Sequence, residues 1–254
     1  MPRKARTKST TGIYHVVIRG VNRQTIFEDE EDKVQFLQTI AKYKGNNRFI
    51  LYGYCLMDNH IHLLLKEKDD TLSVLMKRIS SSYVYWYNRK YRRCGHLFQE
   101  RFNSENVENT TYFRTVLRYI HQNPLKAGLV TNIFKSKWTS IHEYVDGKSI
   151  VDTDFPLRLF SNDLGEALRI FIEYMQQVNE DKCLDVFEDV RLSDDEVRAY
   201  MKEWGILHSS QLQSMAKESR DAILVRLRKL DGVSIRQLSR ITGISKSVIQ
   251  RAVQ

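Results

Sequence analysis

The stretch RFILYGYCLMDNHIHLLLK, residues 48–66, decides the fold more than any other part of the chain. Residues 48–57 are rich in apolar and aromatic side chains and predict one strand, and residues 61–66 predict a second. The pair Asp58-Asn59 between them is a typical turn signal. The stretch therefore predicts a β-hairpin whose second strand begins beside two histidines.

The elements predicted on either side extend this hairpin into a sheet. They are a strand over 13–18, a helix over 29–43, a long aromatic helix over 72–91, a strand over 101–107 and a helix over 110–122. The first six elements follow the split βαβ order, which predicts an α+β fold with a ferredoxin-like antiparallel sheet and helices on one face. We expect Asn123-Pro124 to stop the last helix and to leave Asn123 at its frayed end.

The charge changes sign along the chain. The 254 residues carry a formal charge of +9, and 42% are hydrophobic, enough for a packed core. Residues 1–145 have a net charge of +11, residues 146–198 of −8 and residues 199–254 of +6. Two basic blocks around an acidic one favour two units that face nucleic acid, joined by a linker that does not. An ordinary basic surface would give a similar total charge.

Other features narrow the class of protein. The three cysteines form no CxxC pair, so the sequence carries no zinc signature and no disulfide framework. No apolar run is long enough to span a bilayer, and the basic start is not followed by an apolar segment. We therefore expect a cytoplasmic protein with no membrane partner.

Two histidines at the start of the second hairpin strand could hold a metal ion. His60 and His62 are two residues apart, so their side chains share one face of a strand, and Ile61 points to the other. Two imidazoles on one face can chelate one cation. Two ordinary histidines beside a sheet would produce the same pattern, so the pair alone is a weak signal.

A tyrosine with an amide one helical turn later is the second candidate for chemistry. Tyr119 and Asn123 are at positions i and i+4 and share a helix face. A tyrosine hydroxyl can attack a phosphodiester and hold the strand as an ester. The carbonyl oxygen of Asn123 suits a hard cation. His121 points to a different face and receives no role.

Five motifs in order give the chain a resemblance to a known family over roughly residues 11–145. They are GIYHVV with Arg19-Gly20 and Asn22-Arg23; MDNHIHLL at 57–64; GHLFQ with Arg101-Phe102; YIHQNP with AGLV at 127–130; and Trp138-Thr139-Ser140. This set resembles the HUH single-tyrosine transposases, and within them the REP-associated tyrosine transposases.

The resemblance assigns roles to the matching residues. It implies that His60, His62 and Asn123 bind Mg²⁺ or Mn²⁺ and that Tyr119 is the nucleophile. It implies a 5′-phosphotyrosine, a free 3′-OH and later strand transfer, on single-stranded DNA beside a hairpin or palindrome. It leaves open a monomer or a homodimer, and whether Tyr119 serves its own metal site or a partner's.

Candidate DNA contacts in residues 1–145 lie at the end of the first predicted strand and at the end of the long helix and just after it. The long helix interleaves aromatic and basic residues, the combination that binds single strands, although about half of its aromatics would face the core in any case. The predicted contacts are Arg19, Asn22, Arg23, Arg89, Lys90, Arg92, Arg93 and Arg101.

The C-terminal region predicts an all-α helix-turn-helix domain over 199–254. The segments 234–242 and 246–253 are amphipathic and flank a Gly-Ile-Ser turn, which places the second as a recognition helix in a major groove of duplex DNA. A helical bundle used for packing or dimerisation is the alternative. The predicted outward-facing contacts are Arg236, Arg240, Lys246, Gln250 and Arg251.

Two functions fit these observations. The first is a metal-dependent single-stranded DNA endonuclease and strand transferase. The second is a domesticated, non-catalytic DNA-binding regulator, against which the intact set of His60, His62, Tyr119 and Asn123 argues.

Overall fold

The structure is a computed structural model. It describes residues 7–45, 47–99, 101–147, 150–178, 180–184, 192, 194–230 and 232–253. The chain forms two compact units, Met1–Val186 and Phe187–Gln254. No helix among the described residues is both long and apolar enough to cross a bilayer.

The first unit is built on a four-stranded antiparallel sheet. Its strands are β1 (Ile13–Arg19), β2 (Phe49–Leu56), β3 (His60–Glu67) and β4 (Asn103–Asn106). They lie in the order β2-β3-β1-β4, and every neighbouring pair is antiparallel. The predicted hairpin forms β2 and β3, and the order confirms the ferredoxin-like α+β arrangement.

Alternation along the strands gives the sheet two different faces. Val17 of β1 pairs with His62 of β3, and the next pair is Ile18 with Ile61. Directly paired residues project to the same side, so Val17 and His62 share one face and Ile18 and Ile61 share the other. Both isoleucines are almost completely buried.

Helices cover both faces. The helices α1 (Glu30–Lys44) and α2 (Leu72–Lys90) lie on the Ile18 face, and the rings of Phe36 and Tyr83 join them at 5.2 Å between centroids. The helix α3 (Thr110–Lys126) packs on the His62 face. The first two helices thus share a face, as the split βαβ order requires, and the third occupies the opposite one.

The helix α3 is longer than predicted. It continues through Pro124 to Lys126, so the predicted stop at Asn123 and the frayed end there are wrong. Pro124 removes one helical hydrogen bond, but the ladder resumes where the Ala127 amide donates to the Asn123 carbonyl at 3.0 Å. Gly128, with φ of 70°, follows as the left-handed residue that ends the helix.

Three further helices complete the first unit. They are α4 (Ile141–Asp146), α5 (Asp154–Arg158) and α6 (Leu164–Gln176). The apolar side of α6 buries Ala167, Phe171 and Met175 in the same core as the sheet. Residues 146–186 therefore lie in the first unit, where the sequence predicted part of a linker over 146–198, because this amphipathic helix has a surface to pack on.

The second unit is entirely helical. It contains α7 (Asp194–Glu203), α8 (Ser209–Ser214), α9 (Lys217–Arg228), α10 (Ile235–Thr242) and α11 (Lys246–Ala252). A separate core includes Val233, Leu238 and Ile249. Gly243, with φ of 70°, makes the turn between α10 and α11. The order of helix, turn and helix matches the prediction, and its use on duplex DNA stays a prediction.

Candidate active site

Two histidine side chains of β3 meet on the face covered by α3. His62 is fully buried, His60 is half-buried, and their ring centroids are 5.0 Å apart. Ile61 between them is buried on the opposite face. The strand alternation predicted for this pair is therefore present.

A third histidine, which the sequence analysis did not select, supports His62 from the neighbouring strand. His15 of β1 is fully buried, and its Nε2 lies 3.1 Å from Nδ1 of His62. Its own Nδ1 has no hydrogen-bond partner among the described residues. The available signal was a polar residue inside the apolar strand IYHVVI, because a buried polar side chain needs a partner.

The helix α3 brings the nucleophile candidate and the amide to these histidines. Nδ2 of Asn123 lies 3.3 Å from Nε2 of His62. The ring of Tyr119 lies edge-on to His62 and to His15, at 5.7 and 5.9 Å between centroids. Tyr119 is 5% exposed and Asn123 is 9% exposed. The four residues that the sequence selected therefore converge in one chain.

Gly53 of β2 allows this close approach of helix and sheet. A Cβ at this position would lie 2.9 Å from Cδ1 of Leu117 on α3, closer than side-chain packing permits. The absence of a side chain at Gly53 is what lets Leu117, two residues before Tyr119, settle on β2. Local packing thus sets the height of α3 above the histidines.

Burial keeps His15 and His62 in their neutral form. It lowers the pKa of His15 to about 3. Burial also lowers the pKa of His62 well below its ordinary value, and the neighbouring His15 and His60 lower it further. A neutral imidazole has a lone pair on one ring nitrogen, which is the form that binds a metal ion.

The hydrogen bonds of His60 and His62 place the lone pair of each ring on Nε2, the atom that would bind a cation. Nδ1 of His60 lies 2.6 Å from Oδ1 of Asn59, an acceptor, so that nitrogen carries the proton and Nε2 keeps its lone pair. Donation from Asn123 to Nε2 of His62 likewise places the proton of His62 on Nδ1, facing His15. Turning the Asn123 amide would present its oxygen instead.

The donor set therefore fits a divalent cation. It consists of two imidazole nitrogens and one amide oxygen, and Asn59 and His15 hold the two rings by hydrogen bonds. No group of three or more His, Cys, Asp or Glu side chains in the described part of the chain could hold a metal. The third protein ligand would thus be the amide of Asn123.

A cation beside the tyrosine was also missed by the sequence analysis. Nζ of Lys126 lies 5.2 Å from the centroid of the Tyr119 ring. Lys126 lies in the extra turn that α3 makes after Pro124, and the predicted helix ended before it. A helix that stops at Asn123 gives no reason to place Lys126 beside Tyr119.

His121 has the structural role that its different helix face implies. Its Nε2 lies 2.8 Å from Oγ of Ser140, and its ring contacts Tyr144 at 5.5 Å between centroids. Burial lowers its pKa to about 3. Ser140 in turn accepts a hydrogen bond from the backbone amide of Tyr54 on β2.

The predicted DNA contacts of the first unit divide into three groups. Arg19 pairs with His60 across the sheet, and Asn22 and Arg23 follow it in left-handed conformations with exposed side chains. Strained backbone of this kind is frequent at functional sites. Exposed side chains farther along the chain are those of Arg89, Arg92 and Arg101.

The third group, Lys90 and Arg93, already interacts with other side chains of the protein. Lys90 forms ion pairs with Asp29, Glu31 and Asp32 at 2.7 to 2.9 Å. The Arg93 guanidinium lies 5.5 Å from the centroid of the Tyr87 ring. These contacts leave Lys90 a weaker candidate for binding phosphate than the sequence suggested, since three carboxylates already neutralise it.

In the second unit, most of the predicted contacts are exposed on α10 and α11. They are Arg236, Lys246, Gln250 and Arg251. Arg240 differs, because its guanidinium forms two hydrogen bonds with Asp194 at 2.6 and 2.8 Å. This pair ties α10 to α7 and reduces the charge that Arg240 can offer to DNA.

The matched family and one relative agree with the sequence resemblance. The family described as "Transposase IS200 like" matches residues 8–123, which include all four candidate site residues. A REP-associated tyrosine transposase of Escherichia coli (strain K12) is 26% identical over 110 residues. The match covers 42% of this chain and 62% of that protein, less than two thirds of its length.

A solved structure is similar to the first unit in fold. It is that of a REP-associated tyrosine transposase bound to a REP hairpin, with 20% identity and a TM-score of 0.50, covering 65% of this chain and 93% of that chain. Likeness at this identity concerns the fold alone, and it agrees with the ferredoxin-like sheet described above. The segment that carries the candidate site, residues 8–123, is similar to the IS200-like transposase family.

Proposed function

We propose that this protein is a metal-dependent DNA strand transferase that cuts a single strand with Tyr119 as nucleophile. The observation that carries the proposal is the convergence of Tyr119 and Asn123 on His62, at 5.7 Å between rings and 3.3 Å between nitrogens. His62 lies far from Tyr119 and Asn123 in the sequence, and the fold brings all three together. All belong to one chain, so the proposal needs only one copy of the protein per site.

The proposed reaction is a transesterification. Oη of Tyr119 attacks the scissile phosphorus, the bond from phosphorus to the 3′ oxygen breaks, and a 5′-phosphotyrosine and a 3′-OH result. A 3′-OH then attacks the phosphotyrosine, which rejoins the strand and restores the tyrosine. The phosphodiester energy is kept in the ester, so the exchange needs no nucleotide cofactor.

The residues around Tyr119 have separate tasks. His60, His62 and Asn123 would hold Mg²⁺ or Mn²⁺, which when bound polarises the phosphate and offsets its developing charge. His15 holds the ring of His62 in place through the bond at 3.1 Å. Lys126, 5.2 Å from the Tyr119 ring, offers a positive charge to the phosphate or to the phenolate.

The proposed substrate is single-stranded DNA next to a hairpin. The solved relative is bound to a REP hairpin, and residues 1–145 of this chain carry a net charge of +11, which favours a polyanion. The C-terminal unit, with exposed Arg236, Lys246 and Arg251, would add contacts to duplex DNA.

The test is the formation of a covalent protein–DNA adduct by the full-length protein. Hairpin-bearing single-stranded oligonucleotides, copied from imperfect palindromes in the DNA that flanks the gene, are incubated with Mn²⁺ or with Mg²⁺. We expect an adduct with the wild-type protein and none with Tyr119→Phe. Tyr112→Phe is the matched control, since Tyr112 lies on the same helix and donates its hydroxyl to Glu105 at 2.6 Å instead.

Three outcomes decide the proposal. An adduct that needs the divalent ion and Tyr119, and that Tyr112→Phe retains, supports it. An adduct that survives Tyr119→Phe contradicts the assignment of the nucleophile. DNA binding without any adduct, over the whole set of flanking palindromes and with both ions, contradicts the enzyme and favours the non-catalytic DNA-binding protein.

A further inference from the structure

A cleft of about 750 Å³ lies on the side of the sheet that faces away from His62. Its floor includes Ile18, whose partner Ile61 separates the two candidate ligands on β3. One wall is α2, and the other is formed by residues 96–98 and 101–102. The volume falls within the range of about 300 to 1,000 Å³ that is usual for small-molecule sites.

The α2 wall combines an apolar base with a rim of small polar residues. Met76 and Val84 form the base. Ser73, Ser80 and Ser81 recur at helical spacing beside them and bring hydroxyl groups to the cleft. Short side chains on a helix that is otherwise rich in aromatics leave space for a ligand with both a flat apolar part and polar edges.

The charged groups of the cleft are cations. Lys77 and Arg101 line it, both are exposed, and no Asp or Glu is among the described lining residues. Neither cation has an ion pair within the described part of the chain, whereas the nearby Arg78 is paired with Asp70 at 3.6 Å. An anionic ligand is therefore the one that this lining favours.

An exposed aromatic ring stands on the same wall. Tyr85 is 72% exposed, while Tyr83 and Tyr87 on the same helix are buried in the core. The ring of Phe102 lines the cleft from the other side. Exposed aromatics beside cations are the combination that binds unpaired nucleotides, because a base can stack on any ring and its phosphate needs a positive charge.

We propose that this cleft binds one unpaired nucleotide of the DNA strand, with its base against Tyr85 and its phosphate between Lys77 and Arg101. This inference rests on the proposed function, since it gives the same substrate a second point of attachment. The cleft and the metal-site candidates lie on opposite sides of the same end of β1, where Arg19 pairs with His60 and Gly20 bridges to Phe98. A strand that turns around this edge of the sheet would reach both.

The first experiment measures stacking with the full-length protein. A hairpin-bearing single-stranded oligonucleotide from the gene flank carries 5-iodouracil at one flank position at a time, and long-wavelength light crosslinks the base to the ring it stacks on. We expect one flank position to crosslink to Tyr85. Tyr85→Ala should lose this crosslink and weaken binding roughly 5- to 100-fold, and Tyr85→Phe should bind within about twofold of wild type because it keeps the ring.

The second experiment measures the phosphate contact through its salt dependence. For single strands, each phosphate contact contributes about 0.7 to the slope of log K against log salt. Lys77→Ala and Arg101→Ala should each lower the slope by about this amount. Lys42→Ala is the charge-matched control, since Lys42 is exposed on α1 outside the cleft, and its slope should equal that of wild type.

The outcomes separate this inference from the proposed function. Tyr85→Ala with wild-type affinity, or a crosslink that maps outside the cleft, overturns the cleft even where the adduct at Tyr119 forms normally. Absence of an adduct with the wild-type protein, or failure of that protein to bind the oligonucleotide, overturns the proposed function. Failure to bind also overturns the proposal for the cleft.

Discussion

Two sides of one helix, α3, show how the same backbone can serve stability and chemistry. On one side, Arg118 forms two hydrogen bonds with Asp181 at 2.8 and 3.0 Å, and Gln122 donates to the carbonyls of Met175 and Gln177 at 2.7 and 2.9 Å. On the side that faces the sheet, Tyr119 and Asn123 contact His62.

The difference between the two sides explains the role of the acidic region. Successive residues of a helix are rotated by about 100°, so fixing Arg118 and Gln122 also fixes the direction of the residues that follow each of them. The α6 region, which the sequence predicted to be part of a linker, contacts α3 and holds it in this rotation. Polar groups on one side hold the helix, and polar groups on the other are arranged around His62.

The largest expected effect comes from removing the contacts by which Arg118 holds α3 in place. Arg118→Ala removes one partner of a largely buried ion pair, whose side chains are 10% and 14% exposed, and also the contact of Arg118 with the Tyr174 ring at 4.1 Å. Loss of one partner of such a pair costs about 3 to 5 kcal/mol. Urea denaturation of the full-length protein should show a loss of this size in the free energy of unfolding of the first unit.

The control for Arg118 lies one turn earlier on α3. Arg114 contacts the ring of Phe160 at 5.8 Å and has no ion pair among the described residues, so Arg114→Ala should cost less than about 1 kcal/mol. Equal losses in the two variants would contradict the view that the Asp181 contact holds the helix.

On the catalytic side, Asn123→Ala should weaken Mn²⁺ binding the most. It removes a side chain proposed to bind the ion directly, so the loss should exceed the roughly 10- to 100-fold that is typical when a residue that only supports a ligand is changed. Mn²⁺ titration followed by electron paramagnetic resonance measures the affinity without any reaction. Unchanged affinity would exclude Asn123 as a ligand, and Asn123→Asp should restore binding because it keeps an oxygen at the same place.

His15→Leu should have a smaller effect on the same measurement. It removes the acceptor at 3.1 Å from Nδ1 of His62, which leaves the ligand ring without a fixed orientation, at a cost of roughly 10- to 100-fold in affinity for Mn²⁺. His15→Gln can place an amide oxygen near the former Nε2 and should recover part of that loss. Leucine and glutamine variants with equal affinity would show that His15 only fills space.

A last expected effect, spread over several pH units, concerns His121, which belongs to neither side. Its pKa is about 3 in the folded chain, below the ordinary value of 6.5, because it is buried. The unfolded chain therefore takes up a proton first as the pH falls from 6.5 towards 3, and stability is lost over that window. The contribution of one such group is at most about 1.4 kcal/mol per pH unit.

Urea denaturation in the presence of EDTA, at several pH values from neutral down, checks this expectation. His121→Gln should show a shallower fall in stability than wild type below pH 6.5 and the same stability slope above it. An unchanged slope below pH 6.5 would show that His121 is protonated in the folded chain.

Much of the fold could be predicted because it follows from local patterns. The hairpin of β2 and β3, the strand β1 and the helices α1 and α2 lie close to their predicted bounds, since apolar periodicity and turn residues act over short distances. The end of α3 could not be predicted, because Pro124 normally disfavours a helix, and the hydrogen-bond ladder nevertheless resumes after it.

The candidate site divides in the same way. His60, His62, Tyr119 and Asn123 could be selected from spacing and resemblance. His15 and Lys126 could not, because their relation to the site depends on which strands are neighbours and on how far α3 continues. The ion pairs of Lys90 and Arg240 likewise involve acidic residues that are distant in sequence, so both looked as available to DNA as any other basic residue.

The measurement that tests the account most directly is the mass-spectrometric identification of the DNA-linked peptide. Wild-type protein is incubated with Mn²⁺ and a hairpin-bearing single-stranded oligonucleotide that it binds, and the adduct is digested and sequenced. The account predicts a nucleotide joined through its 5′ phosphate to Tyr119, a released strand ending in a 3′-OH, and no adduct in EDTA. A link to any other residue, or an adduct that forms equally well in EDTA, would contradict it.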